Sequence, residues 1–435
     1  MRYGLEEAKK KLVEQLEKAV REPSPAVSFP VALRFKVPLI DMDPLDWLLG
    51  QKNDRRVFFS STEQVLAVAG VGASFEVASD GWHGLDDVWS QFNDFMSACP
   101  EMRIFVGMSF ARSLSGIEWD DFSAIRGILP AVEVLKDKQG CWLVANMVRG
   151  CDGEPFDTAA RDILEKMYFV EDISRDDVLV VAREDVPDYE DWICSSEAVL
   201  DAFERGDLHK VVLARRVTFE LDQSALPPGM LKKLIRMEGG DVSFFFSVKD
   251  KSFIPVVMDP LYTRQGARVV SRVIVDTRGQ TTDKNLREHR VVAGAAIEVY
   301  RELCRSYQID CEGDKSREYE VLKIYGDLNE GVIDKDFLQA LHPAASVCGV
   351  PAEKSRHFLQ QYEVFDRGWF SGPAGFLSKN SVCLAVSSKA CLLEESCLHI
   401  FAGAPFIKGA DPLEKWEDSG ARMKNIFNVV HGVGQ

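Results

Sequence analysis

Apolar residues fall along this chain in two rhythms. In the first they recur every three or four positions, over residues 1–22, 85–98, 156–167, 195–204, 283–307 and 411–430, which predicts helices that each bury one face. Within 283–307 the buried face would be Val291, Val292, Ala295, Ile297 and Leu303. Shorter helices are expected from the Asp43-Pro44 turn, over 324–331 and over 352–362. In the second rhythm apolar residues alternate with polar ones or run unbroken for a few positions, which predicts strands. These cover 27–40, 56–60, 64–70, 103–110, 127–136, 141–148, 242–248, 253–258, 268–275, 375–377, 382–388 and 398–402, together with Val211-Val212-Leu213. Gln139-Gly140 reads as a hairpin turn, and residues 171–189 as an acidic, irregular connector. The strands come in hairpin-like runs between helices, without strict βαβ alternation. The expected fold class is therefore α+β, with largely antiparallel sheets flanked by helices.

At 435 residues the chain is long for one core, so one large domain or two intimate ones fit its length. Its 68 acidic and 52 basic residues leave a net charge of −16, and no basic cluster suggests a phosphate-tracking surface. Nucleic acid is not an expected partner. An anionic metabolite would need local compensation by Lys, Arg or a divalent cation. Residues 1–22 lack the apolar core of a signal peptide, and 27–40 is broken by Pro30, Arg34, Lys36 and Pro38, so neither export nor a membrane partner is expected. Ten cysteines include no CxxC pair, and neither Cys304/Cys311 nor Cys383/Cys391/Cys397 has zinc-ligand spacing. They read as reduced thiols of a cytoplasmic protein. The run Gly70-Val-Gly-Ala-Ser-Phe is not a dinucleotide fingerprint, because no GxGxxG follows it.

The informative stretch is Gly206-Asp-Leu-His-Lys210-Val-Val-Leu-Ala-Arg-Arg216. Gly206 stands at a helix C-cap, and Lys210 at the mouth of a strand whose body is interior. Such a lysine either reaches out to solvent or works as a buried general base. Other stretches decide between these. Lys210-Val-Val-Leu-Ala-Arg, Lys284-Asn-Leu-Arg-Glu-His289, Leu341-His-Pro-Ala-Ala-Ser-Val-Cys-Gly349, Arg367-Gly-Trp-Phe-Ser-Gly-Pro-Ala-Gly375 and Ala402-Gly-Ala404 follow in fixed order. In this order the chain resembles the chorismate-utilising enzymes, and among them the isochorismate synthases.

The resemblance implies one domain over 1–435, divergent over 1–190 and recognisable over 191–435, built of two packed antiparallel-rich sheets ringed by helices. It implies a small-molecule partner, chorismate or a related anion, in a protein expected to be a monomer. Lys210 matches the base that activates water; anthranilate-type members carry glutamine there. Val275 fills the place of the lysine used by covalent members. Mg²⁺ is the implied cofactor, with Glu288 and Asp418 as ligands, while Lys389, Gly403, Thr277 and Arg422 match substrate-binding positions. His342 and His289 are given no proton-transfer role.

Departures cluster at the same positions. The strand that carries the family's catalytic acid reads Ser271-Arg-Val-Ile-Val-Asp-Thr277, with Arg272 at the acid's place. Arginine stays charged and cannot deliver a proton at neutral pH. Asp276 replaces a glycine that faces substrate and is the expected substitute acid. Arg272 and Asp276 lie about 13 Å apart on a strand, too far to pair with each other. Lys389 stands for an arginine, Phe370 for a tyrosine, Ala344 for a threonine and Pro405 for a glycine. Lys415 stands for the first glutamate of the metal-binding motif, here Lys415-Trp-Glu-Asp418-Ser. The readings left open are an isochorismate synthase with a rewired acid, a non-catalytic descendant that binds a ligand, and an enzyme acting on a related ligand.

Overall fold

The structure is a computed structural model that describes residues 2–21, 31–98, 100–149, 159–167, 178–222, 226, 228–237, 241–276, 283–314 and 319–430; the description leaves out some side chains, among them those of 274–276 and 283–290. The first half of the chain contributes α1 (Leu5–Arg21), β1 (Val31–Leu39), α2 (Pro44–Leu49), β2 (Arg55–Ser61), β3 (Leu66–Val71), β4 (Phe75–Ser79) and α3 (Leu85–Ala98). There follow β5 (Ile104–Met108), β6 (Ile125–Leu129), β7 (Val132–Asp137), β8 (Gly140–Arg149), α4 (Ala159–Lys166), β9 (Val180–Val186) and α5 (Tyr189–Glu204). The second half begins with β10 (Lys210–Leu221), α6 (Pro228–Ile235), β11 (Val242–Val248), β12 (Lys251–Gln265), β13 (Arg268–Asp276), α7 (Asp283–Leu303), β14 (Cys304–Asp314) and β15 (Tyr319–Leu328). It ends with α8 (Asp334–Leu341), β16 (Gly349–Val350), α9 (Ala352–Tyr362), β17 (Pro373–Leu377), β18 (Ser381–Glu394), β19 (Cys397–Ile407) and α10 (Pro412–Val430).

Four expectations change. The helix expected over 324–331 is the end of β15, where Ile324, Gly326 and Leu328 are buried and their neighbours are not, a period of two. The helix expected to reach 307 stops at Leu303, because Cys304 pairs with Leu328 and opens β14. The strand expected over 127–136 divides into β6 and β7 at Pro130, which has no N–H for a ladder. The connector expected over 171–189 contains β9, an exposed edge paired with β10, and its Asp188 accepts the Asp191 N–H at 2.9 Å, starting α5 at Tyr189. Residues 171–177 lie outside the description.

The strand-to-strand pairings are antiparallel and form two layers that share β12 and β18. One layer runs β4–β6–β5–β17–β18–β12–β13–β15–β14. The other runs β9–β10–β19–β18–β12–β11–β2–β3–β7–β8–β1. The two long strands pass from layer to layer where their register shifts, between Pro255 and Val257, Val257 and Met258, and Pro260 and Tyr262. Such bulges bend a strand and turn the corner between packed sheets. First-half strands are sheet partners of second-half ones, β2 of β11 and β5 of β17.

The inner faces meet in an aromatic core of Phe59, Phe105, Trp119, Phe246, Trp369, Phe376 and Phe401. α1, α2, α4, α6 and α10 cover one outer face with Leu12, Trp47, Leu164, Leu234 and Met423. On the other, α3, α7 and α8 bring Phe92, Phe95, Tyr300 and Phe337. The α+β arrangement of packed antiparallel sheets flanked by helices is the one expected.

A buried ionic knot joins β1, β7 and β8. Arg34 donates to both Glu133 oxygens at 2.8 and 2.9 Å and to Asn146 at 2.7 Å, and Asn146 donates to Glu133 at 2.7 Å. Burial pushes the Glu133 carboxyl up, but Arg34 and Asn146 outweigh it and hold it below the usual carboxylate range. A lowered folded pKa stabilises the protein above the unfolded value of about 4.3, and this is lost as pH falls through the folded value. Arg34→Met strands the Glu133 charge, so urea unfolding at pH 7 should show a loss of about 3–5 kcal/mol. The deficit should shrink as Glu133 protonates on acidification.

Candidate active site

Strands β10, β19, β18, β12 and β13 floor a cavity of about 590 Å³, roofed by α7 and residues 340–352. Side chains alternate along a strand, so Lys210 and Val212 face this cavity while Val211 and Leu213 pack under α5 and α9. Lys210 is 3% exposed. β16 pairs with the first residues of β10, and a Cβ on Gly349, whose φ is +152°, would lie 2.3 Å from the Lys210 carbonyl oxygen. Only glycine lets that loop close over the lysine. Gly403 does the same for the floor, where a Cβ would stand 2.7 Å from Val212.

Two arginines fix these parts. Arg367 is buried and donates to the Val212 carbonyl at 2.6 Å, the Val347 carbonyl at 2.8 Å and the Glu363 carboxylate, which in turn accepts the Ala214 N–H at 3.0 Å. It ties β10 to the roof. Arg215 lies against the Trp416 ring and donates to the Trp416 carbonyl at 3.1 Å, to Ser419 at 2.8 Å and to Asp185 at 2.8 Å. It ties α10 to the outer face of β10.

Among the described residues lining the cavity, the carboxyl is that of Asp259 on β12. In the ladder Val257 pairs with Lys389 and Met258 with Ser387, which leaves Ser388 as the extra residue of a bulge. Ser388 and Lys389 therefore both reach the cavity, although they are consecutive. Burial raises the pKa of Asp259; the hydrogen bond with Ser388 and the charges of Arg422 and Lys210 oppose this without reversing it. A carboxyl so placed holds its proton to higher pH than an ordinary one. It was not among the residues expected from the sequence. Its signal is faint: one carboxylate inside the apolar run Ile254-Pro-Val-Val-Met-Asp-Pro-Leu261.

The structure brings together Lys210, Lys389, Gly403 and Arg422, with Phe370, Ala344 and Pro405 around them. Lys389 donates to the carbonyl of Arg422 at 2.8 Å and so anchors α10 as well as lining the cavity. Arg272 also lines it, with its guanidinium paired to Glu63 at 2.6 Å and to Asp241. Burial lowers its pKa, but those two carboxylates outweigh it, so Arg272 remains a cation. Thr277 and the side chains of Asp276, Glu288 and His289 lie outside the described residues. His342 stacks on Trp82 and meets the Phe110 carbonyl oxygen at 3.1 Å, while burial takes its pKa down to about 4, which keeps the ring neutral in a structural place.

Asp418, expected as a metal ligand, is not among the residues lining the cavity. Its carboxylate is 2.9 Å from the Lys415 ammonium, a cation where Mg²⁺ chemistry calls for oxygen. Among the described residues no three His, Cys, Asp or Glu side chains gather as a metal site. Of the two expected ligands, Asp418 thus pairs with an ammonium, and the Glu288 side chain lies outside the described residues.

Residues 20–431 match the family of chorismate binding enzymes. The chain belongs to that family. It is 24% identical over 447 aligned residues to the isochorismate synthase MenF of Bacillus subtilis, covering 93% of this chain and 95% of that one. The MenF of Haemophilus influenzae is also 24% identical, with 91% of each chain covered. Among solved structures, the menaquinone-specific isochorismate synthase MenF of Escherichia coli superposes with a TM-score of 0.82 at 19% identity, covering 97% of this chain and 100% of that one. Anthranilate synthase component I of Streptococcus pneumoniae gives 0.61 at 15% identity, with 93% of each chain covered. Proteins named for two different synthase reactions thus share this fold.

The Lys389 bond has a local consequence. Lys389→Met leaves the Arg422 carbonyl without that donor, which should lower stability by about 1–3 kcal/mol. Amide hydrogen exchange should rise in α10 first, and an even rise over the whole chain would contradict the anchor.

Proposed function

We propose that the chain binds chorismate in this cavity and isomerises it to isochorismate. Lys210 at the end of β10 takes a proton from water, which adds to one face of the ring. Asp259 gives its proton to the hydroxyl that leaves, and that group departs as water as the ring double bonds shift. One water enters and one leaves, so the net change is an isomerisation. Arg422 supplies positive charge for the anionic substrate, and the apolar side of the cavity keeps bulk water from the ring.

The observation that carries this reading is the shared enclosure of Lys210 and of Asp259, a carboxyl whose pKa burial raises, in one cavity. The wide coverage by isochorismate synthase relatives supports it. A lysine here suits water as nucleophile. A ligand-binding descendant would have no use for a buried proton donor whose ionisation opposes folding. Expected substrate contacts are Lys389, Gly403 and Thr277, on one domain spanning both halves of the chain. Asp276, the acid expected from the sequence, becomes the second candidate.

The test is incubation of purified protein with chorismate, with chromatography for isochorismate, salicylate and pyruvate. Isochorismate is expected, and salicylate with pyruvate would redirect the assignment. Lys210→Ala and Asp259→Asn should each lower turnover by roughly 100- to 10,000-fold. If Asp259→Asn keeps full activity while Asp276→Asn loses it, the acid is Asp276.

Asp259 also makes a stability prediction. A carboxyl whose folded pKa is raised stabilises the fold below the unfolded value of about 3.9, and this contribution is lost as pH rises through the folded value. Asp259→Asn removes that penalty. Its melting temperature should exceed that of the natural protein at pH 7 to 8, and the difference should close toward pH 4.

A further inference from the structure

A second cavity, of about 520 Å³, lies between residues 110–118 and residues 356–367, against Arg216 of β10. Its described lining shares no residue with that of the first cavity. The loop on one side is pinned to the segment on the other. The Phe110 N–H donates to the Gly368 carbonyl at 2.7 Å, and the Ser115 hydroxyl and the Gly116 N–H donate to Asp366 at 3.0 and 3.1 Å. The cavity is thus preformed, and its volume falls in the range of small-molecule sites, about 300–1,000 Å³.

Donors and acceptors around it do not balance. The Asp366 carboxylate is taken up by Ser115, by Gly116 and by the Gly368 N–H at 2.8 Å, and that of Glu363 by Arg367 and the Ala214 N–H. Arg216 gives one terminal nitrogen to Glu118 at 2.7 Å. Arg356 gives one to Glu353, which Arg112 also approaches at 3.8 Å. A guanidinium carries five N–H donors, so a single carboxylate contact leaves donors over. The Nε atoms of Arg216 and Arg356 are buried without an acceptor, and Arg356 is 7% exposed. Buried donors without acceptors are costly, and the guanidinium fork matches the paired oxygens of a carboxylate or a phosphate.

We propose that this second cavity binds a small oxyanion, a carboxylate or a phosphate, and that its occupant acts on the first cavity through Arg367 and Glu363. Both residues line the second cavity. Arg367 also holds the carbonyls of Val212 and Val347, which line the first. An anion beside these guanidiniums competes with Glu363 for Arg367, and any shift of Arg367 moves floor and roof of the first cavity together. Coupling of this kind is reciprocal, so a ligand in either cavity changes affinity in the other by the same factor.

The test is methyl NMR on the full chain with isotope-labelled leucine and valine, titrated with sodium phosphate and separately with sodium benzoate at constant ionic strength. Neither probe is a substrate of the proposed isomerase, so the outcome is independent of that reading. Leu359 and Val364 report on the second cavity, and Val212 and Val347 on the first. With at least one probe, Leu359 and Val364 should shift saturably with a millimolar or lower Kd, and Val212 and Val347 should follow with the same midpoint. A response to phosphate alone or to benzoate alone identifies which oxyanion the site takes. Arg356→Gln should raise the Kd about tenfold. Gln360→Glu, on the exposed rim, should raise it about threefold with an unchanged melting temperature. No saturable shift with either probe overturns the proposal, as does an unchanged Kd in Gln360→Glu or in a folded Arg356→Gln. Movement of Val212 and Val347 ahead of Leu359 and Val364 puts the anion in the first cavity and overturns the site. Movement of Leu359 and Val364 alone overturns the coupling.

Discussion

The β12–β18 pair carries both layers of the sandwich and the floor of the cavity. Each strand belongs to one sheet at one end and to the other sheet at its far end, and the register shifts between are where they turn. A regular pleat would send Ser388 and Lys389 to opposite faces. The bulge sends both into the cavity and leaves Met258 in the aromatic core while Asp259 faces the ligand space. A slip of one residue would exchange them, putting a carboxyl among phenylalanines. The site therefore depends on backbone register before it depends on any particular catalytic side chain.

Electrostatics then sorts the charges that this register delivers. The chain as a whole is acidic, yet the described residues lining the cavity include Lys210, Arg272, Lys389 and Arg422 against Asp259. Arg272 is matched by Glu63 and Asp241, and Lys389 holds the backbone of α10. Lys210 and Arg422 act on Asp259. A cationic pocket within an acidic protein lets an anion gain little from the outer surface and much from the interior.

Elements whose burial follows their own sequence period were legible, such as the helix over 85–98, the strand after Lys210 and the hairpin at Gln139-Gly140. β9 was not, because a solvated edge strand carries no apolar alternation. β15 was misread because its buried side includes Gly326, which packs against Tyr300 and Cys304 and adds nothing to a hydrophobic pattern. Resemblance placed Lys210, Lys389, Gly403 and Arg422, and the fold gathers them around one cavity. Asp259 escaped because a single acidic residue in an apolar strand has no periodic signature, and its environment comes from Ser388, Lys210 and Arg422, all distant in the chain. Arg272 drew attention as a missing acid, whereas its guanidinium meets Glu63 and Asp241, partners that no local pattern predicts.

Asp259 also couples ligand and proton. Opposing influences set its acidity: burial favours the neutral carboxyl, while the Ser388 hydrogen bond and the charges of Arg422 and Lys210 favour the carboxylate. An anion settling beside those cations offsets their field and excludes water, and both changes strengthen the hold of Asp259 on its proton. Ligand binding and protonation of Asp259 thus favour each other, and by linkage the anion binds more tightly where Asp259 is neutral. In the proposed reaction, a donor with this property holds its proton more firmly while substrate is present. The same cations lower the barrier to ionising it again once the anion has gone.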